Sequence, residues 1–226
     1  VEQFLSITIG MADTVMVSVC GEAAVSGVSL VDAINILMIN IFSALATGGA
    51  IVSSQYIGRE DLGKACEAAK QRGLAVFVLS TAIGAIFVFG GPQVLGLLYH
   101  DIEADVMASA ESYFFLTALS YPFIALYNAG AALFRAMGNS KVSMTISIVM
   151  NCINIGGNAL FIFGFDMGAA GAALATLISR IVGAVFILVL LRRSTNIIHI
   201  DSYLRLGLHP GMIKNILEIG IPNGLE

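Results

Sequence analysis

Charged residues are scarce in this chain of 226 residues: they make up 12% of it, against 58% hydrophobic residues, and tryptophan is absent. A soluble domain carries about 25% charged residues, so this chain has too little polar surface to cover a globule of its size. The composition therefore argues against a water-soluble enzyme. The net charge of -4 leaves no basic stripe for binding nucleic acid.

Cysteine is also scarce. The three cysteines, Cys20, Cys66 and Cys152, are odd in number and scattered, which fits neither a disulfide framework nor a cluster of metal ligands. No P-loop, HExxH, GxSxG or paired CxxC motif occurs, so the sequence shows no ATPase or hydrolase machinery. We expect a protein that is not an enzyme.

Long apolar windows follow one another along the chain. About 20 apolar residues are needed to cross a hydrocarbon core of roughly 30 Å, and six such windows occur, followed by the start of a seventh. We therefore expect an all-α membrane protein with a six-helix transmembrane bundle at 1–193, a cytoplasmic linker at 194–210 and a further helix beginning at 211–226. The predicted helices are about 1–20, 28–57, 70–91, 108–136, 141–164 and 168–193.

Most basic residues fall on one side of the membrane if the predicted spans cross it alternately. Lys and Arg accumulate in cytoplasmic loops, and ten of the eleven basic residues follow the second, fourth or sixth span. We predict that the segments Arg59–Arg72, Arg135–Lys141 and Arg192–Lys214 are cytoplasmic, in a multi-pass protein of the cell (inner) membrane.

Asp13 is the only carboxylate that we predict to lie well inside a span. An ionised side chain there is costly unless it is paired, hydrated or protonated. Counting residues from the outer end of span one places Asp13 about 10 Å deep. The same count places Asn158, Asn154 and Thr176, in spans five and six, about 9, 15 and 12 Å deep. The four side chains should therefore share one layer of the outer half of the membrane.

Three asparagines, Asn151, Asn154 and Asn158, stand at i, i+3 and i+7 and form one stripe of span five. Together with Asp13 and Thr176, the last two supply a set of hard oxygen atoms with one negative charge, which suits a proton or Na⁺ better than Ca²⁺ or Zn²⁺. Alternatively, the acid is satisfied by its neighbours and the asparagines join helices by hydrogen bonds, with no ligand at all.

Besides Asn151, three further residues are candidates for cavity or supporting roles: Arg180, Tyr127 and Pro122. Arg180 lies near the middle of span six, where it is either a structural partner or snorkelling side chain, or acts electrostatically on Asp13. Pro122 lacks an N–H and should kink or loosen span four between Tyr121 and Tyr127. Broken helices tend to line cavities in transporters.

Several segments resemble the multidrug and toxic compound extrusion (MATE) family, in its prokaryotic NorM/DinF-like form. MADTVMVSVCGEAAVSGVSL (11–30) and SQYIGREDLGKA (54–65) resemble the family's first two helices. FRAMGNSKVSMTISIVMNCINIGGNALFIFGFDMGAAGAALATLISR (134–180) is similar to its fourth-to-sixth helix region, and GMIKNILEIGIPNGLE (211–226) to the opening of its second bundle. The resemblance implies the amino-terminal lobe of a twelve-helix transporter, whose partner is a missing carboxy-terminal lobe.

The resemblance also implies an activity: secondary antiport, in a lipid bilayer, of cationic amphipathic compounds against H⁺ or Na⁺, with no other cofactor. The family's acid in the first helix falls on Asp13, and its polar positions in helices five and six fall on Asn154, Asn158 and Thr176. DinF-like relatives often carry a second Asp where this chain has Asn158. This departure lowers the expected affinity for Na⁺ and favours proton coupling, although both ions remain open.

Two alternative functions remain. A flippase for lipid-linked oligosaccharides has the same superfamily shape, but it requires a strongly cationic cavity, and Arg180 is the only basic residue that we predict well inside a span. A non-transporting membrane scaffold would use the asparagines as interhelical contacts alone.

Overall fold

The computed structural model describes residues 14–99, 102–193 and 196–198. Every element in these ranges is a helix, which confirms the predicted all-α fold. In chain order the elements are α1, of which residues 14–18 are described, α2 (Glu22–Gly58), α3 (Leu62–Leu98), α4 (Ala104–Leu119), α5 (Tyr121–Ala136), α6 (Ser140–Asn158), a π-helical segment (Ala159–Gly164) and α7 (Gly168–Leu191).

Four of these helices, namely α2, α3, α6 with its π-helical extension, and α7, are long and apolar enough to cross a membrane, and α4 with α5 makes a fifth if the pair is one broken span. They correspond to predicted spans two to six. Most of span one, the linker and the seventh helix lie outside the described residues. Large apolar side chains are strongly exposed on the helices, such as Phe89 at 83% and Leu97 at 74%, as expected of a surface that faces lipid.

The helices extend beyond the apolar windows that predicted them. α2 begins at Glu22 rather than at 28, and α3 exceeds the predicted 70–91 at both ends. The segment 58–72, predicted to be a polar connector, is therefore mostly helical. Its Ala, Glu, Lys and Gln residues are good helix formers, and Asp61 caps α3 by accepting a hydrogen bond from the backbone N–H of Lys64 at 3.1 Å.

The fourth predicted span is interrupted at Ser120. α4 ends at Leu119 and α5 begins at Tyr121, so the break lies just before the range predicted for it. Pro122 stands in the first turn of α5, where a missing N–H costs no helical hydrogen bond. α4 and α5 meet at an angle of 45°, so the span is bent, just before the range in which Pro122 was predicted to act.

The chain divides into two compact units. The first contains the described residues up to Leu37 together with Ala82–Tyr121 and Ser147–Val182. Its core combines large side chains with several alanines, and small residues let helices approach closely. The best buried members are Val17, Val31, Leu95, Ala110, Phe114 and Ala173.

The second unit contains Met38–Thr81, Pro122–Ile146 and the described residues from Gly183 onwards. Gly130 of α5 lies directly against Ile187 of α7, because a Cβ on this glycine would come within 2.5 Å of the Ile187 side chain. The end of α5 is closed by Gly138 at φ +77°, a left-handed conformation that glycine adopts without strain.

Candidate ion-binding site

Two residues of the predicted ion-binding set meet in the first unit. The Asn154 side-chain N–H of α6 donates a hydrogen bond to Thr176 Oγ1 of α7 at 3.1 Å. Asn154 is 5% exposed, and its Oδ1 atom has no hydrogen-bond partner within the described part of the chain. A buried acceptor without a donor costs free energy, so this oxygen is suited to a cation or to a donor that is not among the described residues.

Asn158 lies on the same stripe and is fully buried. It is the last residue of α6, and the backbone continues directly into the π-helical segment. π-Helical turns occur mostly as short insertions inside α-helices, and they are frequent at functional sites. The third member of the stripe, Asn151, is partly buried, and its side-chain nitrogen has no partner among the residues described.

Small residues explain why α6 and α7 come close enough for this contact. A Cβ on Gly157 would lie 2.8 Å from Cβ of Ala175, which is closer than two carbon atoms can approach. Gly157 stands between Asn154 and Asn158, and Ala175 precedes Thr176 in the sequence. The absence of side-chain bulk at this crossing therefore brings the short polar side chains within hydrogen-bonding distance.

Asp13 lies outside the described residues, so its predicted place beside the asparagines stays a prediction. Without it, the described members of the set offer amide and hydroxyl oxygens, which are hard ligands. No group of three or more His, Cys, Asp or Glu side chains within the described ranges is arranged to hold a metal ion.

Arg180 is engaged by the protein. Its guanidinium donates a hydrogen bond from Nη1 to Ser120 Oγ at 2.6 Å, and its charge acts on both Asp32 and Tyr121. These contacts give Arg180 a structural role, and its action on Asp13 stays a prediction because Asp13 lies outside the described residues.

Asp32 is a carboxylate within a spanning helix that the sequence analysis missed. It is the eleventh residue of α2, about 15 Å along the helix from its start. Its Oδ1 atom accepts hydrogen bonds from the Tyr113 hydroxyl at 3.0 Å and from the Asn35 side chain at 3.3 Å. Tyr121 in turn donates to Asn35 Oδ1 at 2.8 Å. Asp32 is therefore a second candidate for a carboxylate inside a span, beside Asp13, which lies outside the described residues.

The signal for Asp32 was present in the sequence. Asp32 and Asn35 are spaced i, i+3 and so share a helix face. The prediction began span two at residue 28, which placed Asp32 only four residues inside the span, near its edge. Because α2 begins at Glu22, the acid lies well within the helix instead.

Arg72 is a buried arginine at the end of the segment Arg59–Arg72, whose predicted cytoplasmic location stays a prediction. It lies within α3 and is fully buried in the second unit. Its guanidinium donates hydrogen bonds to the backbone carbonyls of Ala46, at 3.1 Å, and Ala129. Carbonyl oxygens can stabilise a buried cation in this way because they carry partial negative charge.

Tyr127 is the remaining predicted site residue. Its hydroxyl donates a hydrogen bond to the backbone carbonyl of Ser143 at 3.1 Å, in the second unit. This contact joins α5 to the first turn of α6. It gives Tyr127 a supporting role in the fold.

Comparisons with known proteins agree on one family. The MatE family model matches residues 1–160 of the chain. The uncharacterized transporter YisQ of Bacillus subtilis (strain 168) is 30% identical over 233 residues, covering 100% of this chain and 50% of YisQ. The multidrug export protein MepA of Staphylococcus saprophyticus is 24% identical over 220 residues, covering 96% of this chain and 48% of MepA.

Solved structures agree in fold. A crystal structure of MATE in the bent conformation superposes with a TM-score of 0.89 and 22% identity, over 98% of this chain and 49% of that one. The chain spans about half the length of the curated relatives it matches.

Proposed function

Because the chain belongs to the MatE family, whose members are transporters rather than enzymes, we propose that the whole protein is a secondary antiporter that exports cationic amphipathic compounds in exchange for H⁺ or Na⁺. MepA, a relative along 96% of the chain, is a multidrug export protein. The bilayer and a second lobe are its other partners in this proposal.

One observation carries the coupling part of the proposal: the buried contact between Asn154 and Thr176, which leaves Asn154 Oδ1 without a partner among the described residues. Asn158 follows one turn later on the same stripe. We infer that Asp13 completes this set, so that the ion binds between one carboxylate and neutral oxygens. Such a site changes its net charge when the ion leaves, and an ion that binds one conformation more tightly than the other biases the equilibrium between them.

Replacing the acid tests the coupling directly. Asp13→Asn in the full-length protein, reconstituted in liposomes, should abolish gradient-driven export and leave membrane insertion intact. Imposing H⁺ and Na⁺ gradients separately then identifies the ion. Export at the wild-type rate in Asp13→Asn would refute the role of this residue.

Thr176→Val tests the neutral ligands, because valine keeps the shape of threonine but removes the hydroxyl oxygen. We expect a folded protein whose export needs a higher concentration of the coupling ion. Thr81→Val is the matched control, since Thr81 is exposed on α3 and its hydroxyl only donates to the Phe77 carbonyl of its own helix. Loss of folding in Thr176→Val, or a folded variant with the ion dependence of the wild type, would favour the scaffold interpretation.

The flippase alternative requires cationic groups that are available to a pyrophosphate. Of the arginines within the described helices, Arg72 is enclosed by backbone carbonyls and Arg180 is bound to Ser120. Both contacts weigh against that alternative. Binding of a lipid-linked oligosaccharide by the full-length protein, without drug export, would favour the flippase over the antiporter.

A further inference from the structure

A cavity of about 440 Å³ lies in the first unit, away from the asparagine stripe. It is lined mainly by α3 and α4, and aromatic rings dominate its wall. Phe87 and Phe114 lie with their ring centroids 5.2 Å apart, and Phe115 is half-exposed at the same cavity. Cavities of roughly 300–1,000 Å³ with such walls hold small organic molecules.

Glu111 is the one charged residue in this wall. It lies within α4, and no hydrogen bond or ion pair joins its carboxylate to another residue in the described ranges. Ser112, its polar neighbour at the cavity, donates its hydroxyl hydrogen bond to the Ala108 carbonyl of its own helix at 2.9 Å. A partly buried carboxylate beside aromatic rings, with no partner among the described residues, is free to accept a hydrogen bond from a cation.

A second acceptor comes from the backbone of α3. Pro92 has no N–H, so the carbonyl of Val88, four residues earlier, receives no helical hydrogen bond from it. Both residues line the cavity. Val88 lies about 15 Å from the end of α3 and Glu111 about 10 Å from the start of α4, so both acceptors lie within about 15 Å, along their helices, of the turn between α3 and α4.

We propose that this cavity binds a protonated organic amine with an apolar or aromatic body. The ammonium N–H donates to the Glu111 carboxylate and to the Val88 carbonyl, while the body packs against Phe87, Phe114 and Phe115. Aromatic faces add attraction for the same cation. The site is distinct from the proposed ion-binding set and deepens the proposed function, on which it rests only for the class of compound exported.

Photolabelling tests this site in the full-length protein. An aryl-azide derivative of imipramine, a protonated amine with an aromatic body, is irradiated with protein in phosphatidylcholine nanodiscs, and labelled peptides are mapped by mass spectrometry. Label should appear in the peptides containing Phe87–Pro92 or Glu111–Leu116. Mapping separates this cavity from any other site that binds the probe.

Glu111→Gln should weaken labelling of these peptides at least about tenfold, because a charge-assisted hydrogen bond is lost. Glu103→Gln is the matched control: Glu103 is exposed at the N-cap of α4 and makes no capping hydrogen bond, so labelling should not change. If Glu111→Gln fails to fold, Phe115→Leu serves instead and should weaken labelling several-fold. Equal labelling of wild type and the folded variant overturns the proposal.

Two further experiments ask whether the cavity holds a lipid headgroup or a small molecule, and whether this site is separate from the proposed antiport. If phosphatidylethanolamine in the nanodisc displaces the probe in a Glu111-dependent way, the occupant is a lipid headgroup and the small-molecule assignment is overturned. Asp13→Asn should leave this labelling intact, which supports a separate site. Absence of export with labelling retained would defeat the proposed antiport and leave the cavity assignment standing.

Discussion

Replacing Gly49 of α2 by alanine should destabilise the second unit. A Cβ on Gly49 would lie 2.0 Å from Cδ and 2.5 Å from Cγ of Arg72, whereas carbon atoms in ordinary contact are about 3.5–4.0 Å apart. The Arg72 side chain cannot move aside at low cost, because the carbonyls of Ala46 and Ala129 hold its guanidinium.

Three contributions determine how far Gly49→Ala changes the free energy of unfolding. Over-packing costs about 1–3 kcal/mol, and the loss of one hydrogen bond from a charged donor costs about 1.5–3 kcal/mol. The higher helix propensity of alanine returns about 1 kcal/mol. We therefore expect Gly49→Ala to lower the free energy of unfolding by about 1.5–5 kcal/mol.

Equilibrium unfolding by SDS in mixed micelles, followed by far-ultraviolet circular dichroism, measures this difference. Gly73→Ala is the matched control, since Gly73 lies inside α3 with nothing within 4 Å of an added Cβ, and it should gain up to about 1 kcal/mol. In an Arg72→Ala background most of the cost of Gly49→Ala should vanish. Equal free energies for Gly49→Ala and Gly73→Ala would refute the proposed contact.

Three further predictions rest on other contacts. Gly157→Ala should be about 1–3 kcal/mol less stable than Gly156→Ala in the same SDS assay, because an added Cβ meets Ala175 at the first position and open space at the second; similar stabilities would contradict this. Gly130→Ala should be destabilised through Ile187 and largely rescued by Ile187→Ala, so that no rescue in the double variant would count against the contact. Hydrogen bonds from Lys64 lower the pKa of Asp61. Their contribution to the stability of the folded state is therefore present above the ordinary Asp pKa, and it is lost as the pH falls through the lower pKa that Asp61 has in the folded protein. A carboxyl NMR titration should show this pKa rise in Lys64→Ala and stay unchanged in Lys141→Ala; an unshifted Asp61 in the wild type would refute the interaction.

Local periodicity indicated which polar residues lie close together, while their role as an ion site stays a prediction. The asparagine stripe depends on 3.6 residues per turn, and relative depth depends on the rise per residue, both of which are properties of a single helix. Asn154 and Thr176 were expected in one layer, and they are hydrogen-bonded. The apolar windows likewise predicted the spans that the structure describes, from α2 to α7.

The charge of a residue next to an apolar window did not predict whether that residue is buried. Asp32 and Arg72 were assigned to the edges of spans because they are charged, yet both lie within long helices. Each is accommodated by partners far away in the sequence: Tyr113 for Asp32, and the carbonyl of Ala129 for Arg72. Such partners depend on tertiary packing, which periodicity in a single sequence does not reveal.

The proposed ion site depends as much on small residues without polar side chains as on its ligands. Asparagine and threonine have short side chains, so they reach each other only where the backbones of α6 and α7 are close, and Gly157 against Ala175 provides that closeness. Gly157→Ala removes no oxygen ligand, but it must separate the two helices and lengthen the contact between Asn154 and Thr176. Gly157→Ala should therefore alter the ion dependence of export in the same direction as Thr176→Val, while Gly156→Ala should not. If Gly157→Ala changed only stability and left ion dependence as in the wild type, the contact between these two side chains would be structural and no part of the coupling site.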